Sequence, residues 1–594
     1  MLAPPKPRTR RLTIIAQDPS IRVDGRILTA EVEIPAEEIA PGPRGYRVNV
    51  IDYDTSTGTL YIPLDYDPLR DGHYPDPFKQ KAERANNDWM LDDPRFHAQN
   101  VYAIVMRTLA RFEFALGRRV SWGFYGHQIF VAPHAFADAN AFYSERDRAL
   151  MFGYFSGHSD TGKIPTIYSC LSHDVVAHET THALLDGLRK RYTDPSSPEQ
   201  AGFHEGFADV VALLSVFSLP DIVASLLDYH HREQHKNAKA PAHIDPEELT
   251  PEKLRKSVLL GMAKQMGQEM SGGRGNRADA LRRSVMLKPL TSKDDPDKYE
   301  KLEEFKEPHR RGEILVAAML NAFLEVWLVR VEKLKHGKAA GSKLDRELVV
   351  EEGANAANHL LTMAIRALDY APPTDLQFCD FLSAALTADR ELMPDDNKYH
   401  YRKILRDSFK NYGLEPPTST DGEGAWKMVD PGAFTYDRAH FESMMRDPDE
   451  VFRFLWENRE PLQLHDGAYT EVQSVRPCLR IGPDGFALRE TVAEYIQMIS
   501  LQARELEMFN INIPEGMSQT QEVTLYGGGA LIFDEYGRLK FHVRNRIMNP
   551  ARQTPRLKYL WEFGYFSRKS QENFFARMHM QRAANLRTRV SEEF

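Results

Sequence analysis

The sequence of 594 residues predicts an α+β protein. Short runs of alternating polarity, separated by turn residues, fill residues 11–63 and indicate strands. Apolar residues at helical spacing dominate residues 174–414, and a second strand pattern lies between residues 529 and 543. Strands and helices therefore largely occupy separate parts of the chain, which is typical of the α+β class.

The elements before residue 174 are predicted from their periodicity. Alternation predicts strands at Ala30–Ile34 and Tyr46–Ile51. Apolar side chains recur every three or four residues over Asn100–Leu116, which predicts a helix. Two further strands are expected at Val120–Val131 and Ala149–Phe155, and the second follows the sequence Asn140-Ala141-Phe142-Tyr143.

The later part of the chain contains a polar loop and a predicted linker. The loop covers residues 270–311, and its glycines at 272, 273 and 275 do not form a phosphate-binding motif because no strand precedes them. Residues 415–432 are rich in Pro, Gly, Thr and Asp, which predicts a linker. We divide the chain into a β-rich segment (1–65), a mixed region (66–173), a helical region (174–414), the linker and a C-terminal α+β domain (433–594).

Composition excludes several classes of protein. A net charge of −9 gives no support for binding to nucleic acid. We find no apolar run of the roughly 20 residues needed to span a bilayer and no secretory signal. Three scattered cysteines do not suggest a disulfide framework. A cytoplasmic location is expected, although export by a non-classical route stays open.

Two neighbouring motifs carry the chemistry of the chain. His178-Glu179-Thr180-Thr181-His182 is an HExxH pentapeptide, which on a helix places both imidazoles on one face. Glu205 follows twenty-three residues after His182, and Asp209 lies four residues further on. Two histidines and one carboxylate leave a fourth position on a zinc ion open, as hydrolytic zinc sites require.

These residues also have ordinary explanations. A histidine pair one turn apart is usually solvated or satisfied in a core, and a lone glutamate is usually exposed. Glu205 and Asp209, however, lie within an apolar helical pattern, where unpaired carboxylates would be costly to bury. One Zn²⁺ held by His178, His182 and Glu205 would offset that cost, and we predict a zinc site there.

The residue types also predict a reaction. Glu179 is expected to take the proton of a water on the zinc and pass it to a leaving amine. Asp209 is expected to accept a hydrogen bond from the outer nitrogen of His178 and so fix its tautomer. The sequence thus predicts a zinc-dependent peptidase with a peptide or protein substrate.

The chain resembles the thermolysin-like zinc peptidases (gluzincins) over roughly residues 46–414. Asp174–Ala183 is similar to the zinc-binding helix of that family, and Asn140–Tyr143 to its edge strand. The segment Asp295–Val329, with His309 and Gly312, resembles the one that carries the second catalytic histidine. The resemblance implies a two-lobed fold, with a β-rich N-terminal lobe and an α-helical C-terminal lobe, and it implies endopeptidase activity.

The resemblance implies further roles. His309 and Tyr192 would donate hydrogen bonds to the oxyanion of the tetrahedral intermediate. Asn140 and the backbone of Ala141 would bind an extended substrate, and Arg283, or its neighbour Arg282, would hold a substrate carbonyl. Either Glu304 or Glu307 would orient His309.

The resemblance also bears on metals and on control. Asp174 is similar to an acid that the family uses for structural calcium, but Val216 replaces a further acid, so a calcium site is not expected. No segment resembles the inhibitory pro-segment of secreted relatives. We therefore expect narrow specificity, or restraint by the C-terminal region.

The sequence is also compatible with other functions. A zinc aminopeptidase would need acidic residues near the edge strand, and a binding scaffold would usually have lost Glu179 or a ligand. His231 and His235 form a second histidine pair, which we interpret as solvated surface. Cys170 is interpreted as a small buried hydrophobe rather than a thiol that regulates the zinc. The basic stretch Arg577–Arg589 could bind a protein partner, although an exposed amphipathic helix explains it as well.

Overall fold

The computed structural model has a mixed α+β fold, with 43% of residues in helices and 21% in strands, which confirms the predicted class. It describes residues 7–69, 73–84, 86–157, 165–194, 196–234, 241–255, 284, 286–291, 293–295, 297–335 and 342–566.

The strands, numbered in chain order, are β1 (Thr9–Ile15), β2 (Arg22–Val23), β3 (Arg26–Ile27), β4 (Thr29–Pro35), β5 (Val48–Val50), β6 (Tyr53–Asp54), β7 (Thr59–Leu60), β8 (Ile129–Phe136), β9 (Ala141–Ser144), β10 (Ala149–Ser156), β11 (Thr166–Tyr168), β12 (His243–Ile244), β13 (Leu344–Asp345), β14 (Tyr469–Ile481), β15 (Ala487–Gln502), β16 (Glu522–Phe533) and β17 (Leu539–Asn545).

The helices are α1 (Lys79–Ala82), α2 (Pro94–Leu116), α3 (His173–Leu188), α4 (Pro198–Phe217), α5 (Pro220–Gln234), α6 (Lys298–Lys301), α7 (Pro308–Lys333), α8 (Arg346–Ala367), α9 (Phe378–Leu392), α10 (Tyr401–Lys410), α11 (Phe441–Met444), α12 (Pro448–Glu457) and α13 (Pro550–Glu562).

A five-stranded sheet packs against α2 in the first part of the chain. β5, β8 and β10 lie side by side in parallel, and β9 and β11 both pair antiparallel with β10. Helix α2 begins at Pro94, earlier than predicted, because the side chain of Asp93 accepts a hydrogen bond from the backbone of Arg95 and caps the helix. The predicted strand at Ala149–Phe155 is confirmed as β10.

The strand predicted over Val120–Val131 is largely wrong, because regular pairing begins only at Ile129. Gly123 and Gly126 interrupt the apolar pattern before that point. At Gly123 a Cβ atom would lie 2.3 Å from the Cβ of Asp186, so this backbone is fitted closely against α3. Close packing on a helix therefore replaces strand pairing in this stretch.

Helices α4 and α7 are in close contact where glycines of α4 meet Arg311 and Gly312 of α7. A Cβ on Gly206 would lie 2.8 Å from the carbonyl oxygen of Gly312, and a Cβ on Gly202 would lie 2.7 Å from the Cβ of Arg311. Arg311 also forms a buried ion pair with Glu199 across the same crossing. The two backbones can approach this closely only because side chains are missing there.

The C-terminal sheet shares its core with the helices. β14, β15, β16 and β17 form one antiparallel sheet. Side chains of this sheet, including Val492, Ile532 and Phe541, belong to the same buried cluster as residues of α2, α3 and α4. In the segment predicted as a linker, Trp426 is 8% exposed and its indole N–H donates to the carbonyl of Tyr370. The sheet and this segment are thus packed onto the helices.

A buried ionic network reinforces this contact. Arg480 in β14 pairs with Asp369, at 2.5 Å, and with Glu490. Arg118 also pairs with Asp369. Burial alone would raise the pKa of Asp369, but the guanidinium of Arg118, followed by that of Arg480, holds it below its usual range.

A second ionic contact lies at the end of helix α3. Arg189 follows the last residue of this helix, and its guanidinium donates to Glu494 of β15 at 2.7 Å and to the carbonyl of Leu368. Arg476 of β14 donates to the carbonyl of Leu188, the last residue of the helix. The sheet therefore supplies the partners for the C-terminal end of α3.

Among the described residues, one helix is long and apolar enough to cross a membrane. It is α7, and 72% of its most apolar window is buried inside the protein.

Replacing Arg480 with Met is expected to lower the free energy of unfolding by about 3 kcal/mol, because Asp369 and Glu490 would remain buried with one positive charge fewer. Chemical denaturation measures this difference. Arg438→Met is the control, since that side chain is 74% exposed and its pair with Glu457 should contribute about 0.5 kcal/mol or less. Equal losses in the two variants would contradict a structural role for the network.

Candidate metal centre

Helix α3 carries the HExxH motif in the interior of the protein. His178 and His182 are one turn apart, and their side chains are 4% and 0% exposed. Their Nε2 atoms lie 2.8 Å from each other, and the two rings meet edge to face with centroids 4.5 Å apart. The helix therefore directs two imidazole nitrogens at one point, as the spacing predicts.

Glu205 on α4 completes this cluster. Its Oε2 lies 3.6 Å from Nε2 of His178, and its Oε1 lies 3.9 Å from Nε2 of His182. One potential ligand atom from each of the three residues lies within 4.8 Å of the other two, and all three residues are buried. The predicted ligands are thus brought together by two adjacent helices.

The outer nitrogen of His178 has the predicted partner. Nδ1 of His178 lies 2.7 Å from Oδ1 of Asp209, one turn after Glu205 on α4. A carboxylate accepts the proton of Nδ1, so Nε2 of the neutral ring carries a lone pair. This contact confirms the geometry predicted for Asp209 and fixes the tautomer that a metal ligand requires.

His204 holds the second imidazole, a role that the sequence analysis missed. Its ring stacks on His182 with centroids 4.7 Å apart, and the two Nδ1 atoms are 2.8 Å apart. On its other side, Nε2 of His204 lies 3.4 Å from Oδ1 of Asp186. If Asp186 accepts the proton of Nε2, Nδ1 of His204 accepts from His182, and Nε2 of His182 also carries a lone pair.

The donor set fits a divalent cation. Two lone pairs only 2.8 Å apart repel each other, and Glu205 adds a negative charge to a buried site. A cation between these atoms would remove both costs. Two imidazoles and one carboxylate are the ligands of catalytic zinc sites. The three residues present therefore fit the predicted zinc.

Glu179 follows His178 in α3, is fully buried and contacts β9. Its Oε2 accepts a hydrogen bond of 3.1 Å from the backbone N–H of Tyr143 in β9. This bond fixes the carboxylate between α3 and β9. The residue predicted as general base is thus held next to the strand predicted to bind substrate.

The orientation of β9 leaves one edge toward Glu179. The carbonyl of Asn140 accepts from Gly153 in β10, so the backbone at Asn140 faces β10. Directions alternate along a strand, so the backbone of Ala141 faces the same side as the N–H of Tyr143. The N–H of Ala141 is 2.9 Å from Oδ1 of Asn140. The side chain of Asn140 and the backbone of Ala141 therefore lie on the edge that faces Glu179.

His309 reaches the cluster from α7. Its Nε2 lies 3.1 Å from Oε2 of Glu205, and its Nδ1 lies 3.0 Å from Oε1 of Glu307. Between the two carboxylates considered as its orienting partner, the structure selects Glu307, because Glu304 pairs with Arg310 instead. If Glu307 accepts the proton of Nδ1, Nε2 of His309 can donate only when the ring is a protonated imidazolium.

The prediction for Tyr192 is corrected by the structure. Its hydroxyl donates to the carbonyl of Pro372 at 2.8 Å, and its ring packs edge to face on Phe203 in the core. The side chain is 2% exposed. Because the proton of this hydroxyl is used by a buried carbonyl, Tyr192 is not placed to donate to an oxyanion.

Several sequence predictions cannot be located. Arg282 and Arg283, the glycines at 272, 273 and 275, His235 and the basic stretch Arg577–Arg589 lie outside the described residues. His231 belongs to α5.

The chain matches no protein-family model, and no curated protein is significantly similar to it.

The carboxyl of Asp174, near the start of α3, has a raised pKa. Burial, together with the nearby negative charge of Asp18, raises the pKa of its carboxyl to about 6. One of its buried oxygens, Oδ1, has no hydrogen-bond partner among the described residues. Neither of the two clusters with metal-ligand geometry among those residues includes Asp174. The expectation that calcium is not bound there stays a prediction.

His204→Ala is expected to weaken zinc affinity about 10–100-fold, because the tautomer and orientation of His182 would no longer be fixed. Competition with a chromogenic chelator measures the affinity. His359→Ala is the control, since His359 pairs with Asp389 outside this cluster. An unchanged affinity in His204→Ala would show that the stacked ring does not position the ligand.

Asp174→Asn is expected to stabilise the protein at neutral pH but not in acid. The raised pKa means that the native state favours the protonated carboxyl, so its contribution to stability is present below about pH 4 and is lost as pH rises through about 6. The amide removes that loss. The free energy of unfolding should increase by about 1–2 kcal/mol at pH 8 and remain unchanged at pH 4. A gain of equal size at both pH values would contradict this assignment.

Proposed function

We propose that the protein is a zinc-dependent endopeptidase of the thermolysin-like type. The observation that supports it most is the convergence of His178, His182 and Glu205 on one buried point, with Glu179 fixed between this point and an edge strand. When bound, zinc lowers the pKa of a coordinated water toward about 7 and can polarise a carbonyl oxygen.

Glu179 is proposed as the general base. The hydrogen bond from Tyr143 keeps its carboxylate beside the ligands, and burial excludes bulk water from around it. A carboxylate in this position accepts a proton from the attacking water and returns it to the leaving amine. Because Glu179 follows His178 in the chain, the general base and the first proposed ligand are on the same helix.

His309 is proposed as the donor to the oxyanion. Glu307 holds its Nδ1, and its Nε2 is directed at the ligand cluster. An N–H donor aimed at a developing oxyanion contributes about 3 kcal/mol to lowering the barrier. With Tyr192 turned into the core, this role falls to His309.

The edge of β9 is proposed as the substrate-binding strand. Among the described strands β9 pairs only with β10, so an extended peptide can add to its other edge at Ala141. This mode binds the peptide backbone at any point along a chain. It therefore favours cleavage within peptides over removal of one terminal residue.

Glu179→Gln is expected to retain one zinc and to lower kcat/KM at least about 10³-fold, because the amide cannot accept the proton. The assay is mass spectrometry of a mixture of peptides that are blocked at both termini, together with zinc determination on each variant. Glu423→Gln is the matched control, since Glu423 is exposed.

Two results would refute the proposal. If Glu179→Gln cleaved peptides at the rate of the parent protein, Glu179 would not be the general base. If the parent released N-terminal residues from free peptides but left blocked peptides intact, the protein would be an aminopeptidase.

A further inference from the structure

A second group of metal-ligating side chains lies in the core between α2 and the five-stranded sheet. His97 is on α2, His134 is on β8, and Cys170 is in the 3₁₀ turn Ser169–Leu171 that precedes α3. One potential ligand atom from each lies within 4.8 Å of the other two. The residues are 1%, 1% and 0% exposed.

Hydrogen bonds fix the tautomers of both rings. Nε2 of His97 lies 2.9 Å from the carbonyl oxygen of Met90, which can only accept, so Nε2 carries the proton and Nδ1 the lone pair. Nδ1 of His134 lies 2.8 Å from Oδ2 of Asp52, whose other oxygen accepts from the backbone N–H of His134. Nε2 of His134 therefore also carries a lone pair.

These two lone pairs face each other. Nδ1 of His97 and Nε2 of His134 are 2.7 Å apart. Such an approach is favourable only if a positive species, either a shared proton or a metal ion, lies between the rings. The sulfur of Cys170 lies within 4.8 Å of a nitrogen of each ring, and a shared proton would need no third donor. Outer nitrogens held by a carboxylate and a carbonyl are also what metal-bound histidines usually have.

We propose that His97, His134 and Cys170 form a second metal site, which binds a transition ion that accepts a thiolate, namely Zn²⁺. Two imidazoles and a thiolate select such ions over Mg²⁺ and Ca²⁺, which prefer oxygen. The charges of the Cys170 thiolate and Asp52 would together balance that of the ion. This site is independent of the peptidase activity proposed above.

The surroundings give this second site a structural role. The rings of Tyr61 and Tyr168 pack on His134 and His97, each with centroids 4.8 Å apart, so aromatic groups cover the site. Asn100 of α2 donates to the carbonyl of Cys170 and holds the turn in place. The ion would tie α2 and the sheet to the turn from which α3 starts.

Cobalt gives a test that separates the two centres. The full chain is produced in minimal medium with Co²⁺ so that the buried site fills as the protein folds. A Co²⁺–thiolate bond absorbs in the near ultraviolet, and His178, His182 and Glu205 include no thiolate. We expect two metal ions per chain, one for each cluster, and a thiolate band in the parent protein.

Cys170→Ser is expected to abolish the thiolate band and to lower the metal content from two ions to one. Cys478→Ser is the matched control, since Cys478 is also buried, and it should keep both the band and the ions. His178→Ala with His182→Ala should remove one ion but leave the band.

If Cys170→Ser does not fold, the metal content and the absorption spectrum of the parent protein still test the proposal. One ion per chain without a thiolate band would mean that the two rings share a proton. A band that persists in Cys170→Ser would assign it to another cysteine and would equally refute the site.

Discussion

The crossing of α4 and α7 is the constraint on which the rest of the candidate centre depends. Gly206 and Gly312 let the two backbones meet at a distance that a single Cβ would prevent. Glu205 lies beside this contact on one helix, and His309 lies three residues before it on the other, so their side chains meet at 3.1 Å. The Arg311–Glu199 pair fixes the register of the crossing. A wider separation of the helices would take His309 away from the ligands, whatever the geometry of α3.

Both histidine clusters follow one chemical rule. In each, a carboxylate accepts a hydrogen bond from Nδ1 of a histidine, so the lone pair of that ring is on Nε2, which faces the cluster. Asp209 does this for His178, and Asp52 does it for His134. The clusters differ in their third donor, which is a carboxylate in one and a thiol in the other. That difference makes the second donor set softer than the first, and softer sets favour ions that accept a thiolate.

The parts of the centre that sequence could predict are those set by local geometry. The spacing of His178 and His182 on one helix, and of Glu205 and Asp209 on the next, fixes which side chains share a face. Glu307 and Glu304 both precede His309 closely enough to orient it, and only the contacts with His309 and Arg310 separate them. His204 was missed because its stacking on His182 joins two helices, although its position just before Glu205 was a signal. Tyr192 was misassigned because no pattern shows that Pro372, far along the chain, uses its hydroxyl. The same reason hid the cluster of His97, His134 and Cys170, which share no motif.

For the fold, the α+β class followed from the periodicity of the sequence. The packing of the C-terminal sheet on the helices, in contrast, depends on buried ion pairs between distant residues.

The salt bridge between Arg189 and Glu494 has a consequence for how the protein matures. The two residues are separated by 305 positions, and the guanidinium at the end of the motif-bearing helix is 1% exposed. During translation its carboxylate partner leaves the ribosome only after the histidines and their supporting helices have been made. Until β15 has been made, this end of the helix lacks its carboxylate partner, so the final packing of that end forms only late in biosynthesis.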